Sequence, residues 1–311
     1  MAKLIDPMNS RRKTEKPREK PMIAENAENI PLPHAAPRHP ETHLVIQPRP
    51  GWISIDWREL WNSRELLGFL IWRDIKVRYK QAVLGVLWAV LQPLFTMLIF
   101  TVIFGRFAKV PSDGVPYAAF VFAGLLPWTF FSNSISQASQ SLVNQQSLLT
   151  KIYLPRILIP TASIGGALVD LGISFVIFAV ILIYYKIMPG WQFSLLPLLL
   201  VITVAATLGI GMALAAITVT YRDFRFVVPF MIQSWLYISP VIYPVSVIPE
   251  KWHWLLAINP MSGLIEAYRS AFFGLPLNVG ALCISALSSV VLLVFGLFYF
   301  RKTERRFADI A

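Results

Sequence analysis

The sequence predicts an all-α integral membrane protein. Six transmembrane helices follow an N-terminal amphipathic interface helix, and short re-entrant helices lie between spans five and six. Three observations carry this prediction. The 311 residues are 56% hydrophobic and only 14% charged, far from the balance of soluble domains. A basic run (Arg73, Lys76, Arg78, Lys80) stops abruptly, and no charged residue occurs from Ala82 to Gly105. A helix of about 20 apolar residues crosses the ~30 Å hydrocarbon core at 1.5 Å per residue. Apolar stretches of this kind recur at 83–105, 117–137, 157–184, 193–218, 226–245 and 279–300.

Residues 1–50 carry nine prolines and the polar run RRKTEKPREK. With no apolar periodicity to offset the entropy of ordering, they predict a disordered cytoplasmic tail. The tail lacks the continuous apolar core of a secretory signal. Its three histidines, His34, His39 and His43, read as solvated residues, because no rigid scaffold holds them as metal ligands. Over 51–82 the pattern is that of an interfacial helix. Asp56 and Glu59 are spaced as a capping box. Trp57, Leu60, Trp61, Leu67, Leu70, Ile71 and Ile75 recur at helical spacing among basic residues. Tryptophan and arginine together suit the headgroup level, which assigns Trp72, Arg73, Lys76 and Arg78 to lipid headgroups.

Lys and Arg near the span ends number 12 on the proposed inner side and five on the outer side. That asymmetry places both termini in the cytoplasm and requires an even number of spans. The domains follow as tail 1–50, interface helix 51–82, six-span unit 83–302 and C-terminal tail 303–311. The sequence pI near 9.9 is assigned to anionic lipid rather than nucleic acid, since the basic groups flank apolar spans. Pro229, Pro240 and Pro244 are expected to kink span five.

The 250–273 connection is too apolar for an ordinary loop, and Asn259-Pro260 divides it into two short runs. Neither reaches spanning length, so both read as re-entrant or interfacial helices, tolerated at depth only when buried in protein or beside water.

The one carboxylate within the spans is Asp170, on a small-residue stripe with Ala162, Gly166 and Ser174. A proton relay would need a second acid, a lysine or a histidine in a span, and none exists; a hydrogen-bonded packing role is favoured. Ala205, Gly209 and Ala213 form a second packing stripe. No phosphate loop, dinucleotide fingerprint, metal-ligand spacing or catalytic constellation is present, and the single Cys283 excludes a disulfide framework. The chain is therefore not read as an enzyme, and it carries no cofactor or metal of its own.

Several motifs stand in order: RDIKVRYKQAVLGVLWAVLQPL (73–94), GLLPWTFF (124–131), LLTKIYLPR (148–156), YRDFR (221–225), SPVIYP (239–244) and NPMSGLIEAYR (259–269). On these, the chain from about Leu66 to its end resembles the membrane subunit of bacterial ABC type-2 exporters of polysaccharides and polyol phosphates. That family includes permeases for lipid-linked O antigen, capsule and teichoic acid.

The resemblance implies a homodimer in the inner membrane, with two copies of a separate ABC ATPase that binds ATP and Mg. It implies that Gln146, Leu149, Lys151, Tyr153 and Arg156 couple to that ATPase, supported by Arg222 and Asp223. It implies outer (periplasmic) gate helices carrying Trp252, Trp254, Asn259, Pro260, Glu266, Tyr268 and Arg269. Sugar-facing aromatics are then expected among Trp128, Phe131, Trp235, Tyr237 and Tyr243. Related permeases for drugs or lipids share this architecture, but YRDFR and NPMSGLIEAYR favour polymer exporters. A membrane-embedded glycosyl- or prenyl-transferase would need acids at the membrane border that Asp170 alone does not supply. A plain channel or scaffold would work without any ATPase.

Overall fold

A computed structural model of the chain describes residues 57–80, 85–146, 154–304 and 307. The expected tail, the Asp56 cap, Leu149, Lys151 and Tyr153 lie outside the described residues. Among those described, all regular structure is helical. In chain order the helices are α1 (Trp57–Asn62), α2 (Arg64–Lys80), α3 (Gly85–Phe100) and α4 (Tyr117–Asn144). They continue as α5 (Leu158–Tyr184), α6 (Leu196–Thr220), α7 (Phe224–Ile238), α8 (His253–Ile258), α9 (Pro260–Phe273) and α10 (Val279–Glu304).

Among the described residues, five helices are long and apolar enough to cross a membrane: Leu87–Phe107, Tyr117–Asn144, Leu158–Tyr184, Trp191–Thr220 and Val279–Glu304. Their bounds follow the apolar stretches closely. The main difference is α4, which runs through the polar sequence SNSISQASQSLVN to Asn144. Its serines are tolerated because they bond within the helix, as Ser139 and Ser141 donate to the carbonyls of Ser136 and Ala138. α4 is the buried centre of the bundle, with Phe120, Phe122, Leu126, Phe131 and Ile135 all at 0–1% exposure. By contrast, α3 and α10 turn Leu98, Ile99, Leu287 and Val294 outward, as helices in lipid can.

The expected fifth span over 226–245 is a 15-residue helix, α7, roughly 22 Å long and shorter than a hydrocarbon core. Pro229 lies inside this helix, whereas Pro240 and Pro244 lie beyond its end and stop it rather than kink it. Ser239, which precedes Pro240, is extended (φ −85°, ψ 143°), because a following proline disfavours the helical region. Ser239, Pro240, Val241, Ile242 and Pro244 continue as buried irregular chain.

The two apolar runs of the 250–273 connection form α8 and α9. The Asn259 side chain accepts from the Met261 amide at 3.0 Å, and Pro260 occupies the first turn of α9. Gly274 ends that helix in the left-handed conformation at φ 65°.

Glycine sets the closest helix approach. A Cβ on Gly296 of α10 would lie 1.9 Å from the Gly209 carbonyl oxygen of α6. Only glycine permits that backbone contact, and it places the Ala205/Gly209/Ala213 stripe against α10. The Asp170 stripe packs differently. A Cβ on Gly165 would meet Ile71 Cδ1 at 2.6 Å, so this part of α5 faces the interface helix α2 rather than another span.

Candidate functional site

α2 places four residues apart, Leu70, Asp74 and Arg78, on the side that meets α5; Leu70 is 3% exposed. Phe69, Trp72 and Val77 point outward. Of the four residues expected at headgroups, Trp72 and Lys76 are exposed, whereas Arg73 and Arg78 are partly buried. Arg73 donates to Asp74 Oδ1 at 2.7 Å and to Oε1 of Gln145, which caps the end of α4, at 2.8 Å.

Arg78 donates through Nη1 to Asp170 Oδ2 and through Nη2 to Gln137 Oε1, while the Tyr79 hydroxyl donates to Asp170 Oδ1. Burial first, and then this bond to Asp170, pushes the Tyr79 phenol up to about 12, so the hydroxyl remains a donor. Asp170 thus has a cationic partner after all, supplied by the interface helix. A search for charged groups within the spans misses it; the available signal was an arginine in the last turn of α2.

Beside this cluster is a cavity of about 520 Å³ between α2, α3, α4 and α5. Its polar wall includes Arg78, Tyr79, Gln92, Asn133, Gln137 and Asp170, and its apolar wall includes Trp88, Pro93 and Phe130. A smaller cavity of about 380 Å³ adjoins it through Arg78 and Gln137 and reaches Arg73, Asp74 and Gln145.

Towards the opposite end of α4, Arg269 of α9 is buried at 5% exposure. Its guanidinium carbon lies 3.6 Å from the centroid of the Phe120 ring. It donates to the Val241 carbonyl at 2.7 Å, and to those of Tyr243 and Phe120 at 3.4 Å. The Tyr117 hydroxyl takes the Ile242 carbonyl at 2.8 Å, and Asn259 Nδ2 donates to Ser239 Oγ at 2.8 Å. Backbone outside regular structure must find partners when buried. Here the expected gate residue Arg269, with Tyr117, supplies them to segment 239–244, while the expected gate residue Asn259 holds the Ser239 hydroxyl. Tyr268 is fully buried near Thr203, 3.4 Å between hydroxyl oxygens. Pro260 is buried, Glu266 is half-buried, and Trp252 and Trp254 are exposed.

The expected sugar-facing aromatics separate into two groups. Trp128 and Phe131 are buried, and the Phe131 ring stands edge-on to Trp235 at 5.3 Å. Tyr237 is exposed, and Tyr243 donates back to the carbonyls of Tyr237 and Ile238 at 3.1 Å. Tyr237 shares its face of α7 with Phe226, Phe230 and Gln233, which are exposed too. Among the expected coupling residues, Arg222 and Asp223 are exposed at the α6–α7 turn. Gln146 lies just beyond α4. Arg156 donates to the Glu304 carbonyl at 2.6 Å and sits 5.9 Å from the Phe307 ring centroid, tying it to the end of α10.

Residues 65–273 match the family described as ABC-2 type transporter. The chain is 33% identical over 256 residues to the O-antigen export system permease protein RfbA of Myxococcus xanthus, covering 81% of this chain and 97% of that one. It is 29% identical over 248 residues to a protein of the same name from Klebsiella pneumoniae, covering 79% and 95%. It is 27% identical over 243 residues to the polysialic acid transport protein KpsM of Escherichia coli, covering 76% and 92%. Members of this family are transport subunits rather than enzymes, and a multi-pass helical bundle is the architecture such a subunit requires. With two thirds of its length matched to the family and near-complete coverage of these relatives, the chain belongs to the ABC-2 type transporter family.

Proposed function

We propose that this chain is the membrane-spanning subunit of an ATP-driven exporter that moves a lipid-linked polysaccharide across the bacterial inner membrane. One observation carries the reading: similarity over at least 92% of the length of relatives named for O-antigen export and polysialic acid transport. A separate ABC ATPase, two copies per homodimer, binds ATP and Mg and couples through 148–156, with Arg222 and Asp223 beside it. Both termini lie in the cytoplasm, as the Lys/Arg asymmetry favours. The sixth crossing is made by α7 together with the buried chain 239–244, with α8 and α9 as the outer gate. The exposed face of α7 at Phe226, Phe230, Gln233 and Tyr237 is the preferred channel wall. It offers flat apolar surfaces alongside hydrogen-bonding groups, which suits sugar rings.

Isolation of the chain from its native membrane in mild detergent, with partners identified by mass, tests the reading. A stoichiometric cassette ATPase is expected; recovery without one refutes the proposal. Lys151→Glu should then abolish export while the protein remains in the membrane, and normal export would remove 148–156 from the coupling role. Lys151 is a cleaner probe than Arg156, whose bond to the Glu304 carbonyl makes its reversal disturb α10 as well.

A further inference from the structure

The cavity between α2 and α5 has a wall that lipid alone does not explain. Gln92 and Asn133 are exposed side chains within the spans, and neither amide has a protein hydrogen-bond partner among the described residues. An unpartnered amide facing hydrocarbon costs several kcal/mol, so these two require a polar occupant. The hydroxyls point the same way. Thr96, Thr129 and Ser174 donate their protons to the carbonyls of Gln92, Leu126 and Asp170, leaving oxygen lone pairs towards the cavity. Gln137 accepts from Arg78 through its oxygen, which leaves its amide NH2 as a donor.

Charge decides between occupants. The charged lining residues are Arg78 and Asp170, which pair with each other, so the wall is formally neutral. A phosphate would have to displace Asp170 from Arg78 and then lie beside that carboxylate. A neutral ring bearing several hydroxyls fits without breaking any bond: amides and hydroxyl oxygens meet its polar edge, and Trp88 and Phe130 offer flat apolar faces. At about 520 Å³ the cavity falls within the range of small-molecule sites.

We infer that this cavity is a binding site for a neutral pyranose ring, separate from the face of α7 proposed as the channel wall. Resting on the polysaccharide reading above, it receives a sugar of the cargo at the interface helix before that sugar reaches the channel.

The test uses the full chain in nanodiscs of phosphatidylethanolamine and phosphatidylglycerol. The probes are octyl glucoside, octyl mannoside and octyl N-acetylglucosaminide, each carrying a photoactivatable diazirine next to the sugar. Cross-links are expected in Leu87–Thr96 and Thr129–Gln137, suppressed by excess unlabelled octyl glycoside and unchanged by octyl phosphate. Gln92→Leu and Asn133→Leu each remove one polar group from a span, which does not oppose insertion, and each should lower labelling about fivefold. Competition by free methyl glycoside would assign recognition to the ring alone. Competition by the octyl form only would assign it to a lipid-borne sugar; either supports the site.

Suppression by octyl phosphate, labelling indifferent to both variants, or no labelling there by any of the three glycosides would overturn it. The measurement needs neither ATPase nor nucleotide. Its failure therefore leaves the export reading standing, while failure to recover an ATPase refutes export independently.

Discussion

Two arginines mark opposite ends of α4, and they are held in opposite ways. Arg78 is about a quarter exposed, pairs with a carboxylate and borders a cavity. Arg269 is buried and donates to the backbone carbonyls of Phe120, Val241 and Tyr243, while the Phe120 ring covers one face of its guanidinium. At the Arg78 end the arginine charge is cancelled by Asp170, and both side chains are only partly buried. At the Arg269 end the charge is secondary: the guanidinium's forked donors satisfy an irregular chain that has no helical partners. Burial lowers the Arg269 guanidinium to about 9, which keeps it largely protonated at neutral pH and able to donate. The same residue type thus serves as an ion-paired tie between helices in one place and as a staple for irregular backbone in the other.

The largest expected effect breaks the staple. Arg269→Leu should destabilise the protein by about 3–5 kcal/mol, since it leaves the Val241 carbonyl unsatisfied and reshapes a packed core. Arg269→Lys keeps a positive charge but cannot reproduce the fork, so it should recover only part of the loss. Thermal unfolding in detergent, followed by size-exclusion recovery, measures both. Full recovery by lysine would mean that charge, not geometry, matters at this end.

A smaller effect sharpens the same point from the partner side. A Cβ on Gly124 would stand 2.8 Å from Arg269 Nη2 and 3.0 Å from the Val241 oxygen. Gly124→Ala should therefore cost about 2 kcal/mol through overpacking, despite alanine's better helix propensity. A neutral or stabilising result would show that Arg269 can move aside, making the two arginines alike.

The tie should be weaker. A double-mutant cycle of Arg78→Gln and Asp170→Asn is expected to give a coupling of about 1 kcal/mol, because both side chains are only partly buried. Asp170→Asn should retain most transport. Complete loss with normal folding would indicate that Asp170 carries protons and would end its reading as a packing group.

These two ends also differ in how far the sequence discloses them. The spans were legible because hydrocarbon thickness imposes a length and a composition, and Leu158–Tyr184 falls within a residue of its apolar stretch. Asn259-Pro260 was legible as the break between two short runs, and the structure shows that the break is the N-terminal cap of α9. Asp170 was visible as an intramembrane acid, but its partner was not, since Arg78 is 92 positions away and reads as a headgroup residue. The shortness of α7 was only half legible. Pro240 and Pro244 were evident, but whether a proline kinks or ends a helix depends on what can satisfy the freed carbonyls. That donor is Arg269, which the charge count reads as an outer-side basic residue and the resemblance as part of a gate helix, neither of which points to the carbonyls it satisfies. Likewise Trp128 and Tyr237 are both plain aromatics on paper; only packing puts one in the core and the other on a surface.

The smallest effect concerns Glu266, one turn from Arg269 on α9. Burial first holds its carboxyl above the ordinary 4.5. The hydrogen bond from Asn278 and the charges of Arg269 and His253 pull it down, and Asp113 pushes it up. A carboxyl raised on folding binds more protons in the folded state than in the unfolded one. Its stabilising contribution is therefore full below pH 4.5 and is lost as pH rises through the folded value. Glu266→Gln should be slightly more stable than the parent at neutral pH, with the difference closing below pH 4.5. His253 and Asp113 remain in both proteins, so the difference curve isolates Glu266. If the variant is instead the less stable at neutral pH, the ionised carboxylate is supporting Arg269. The staple would then be an ion pair at longer range, and the contrast between the two ends of α4 would shrink to one of distance.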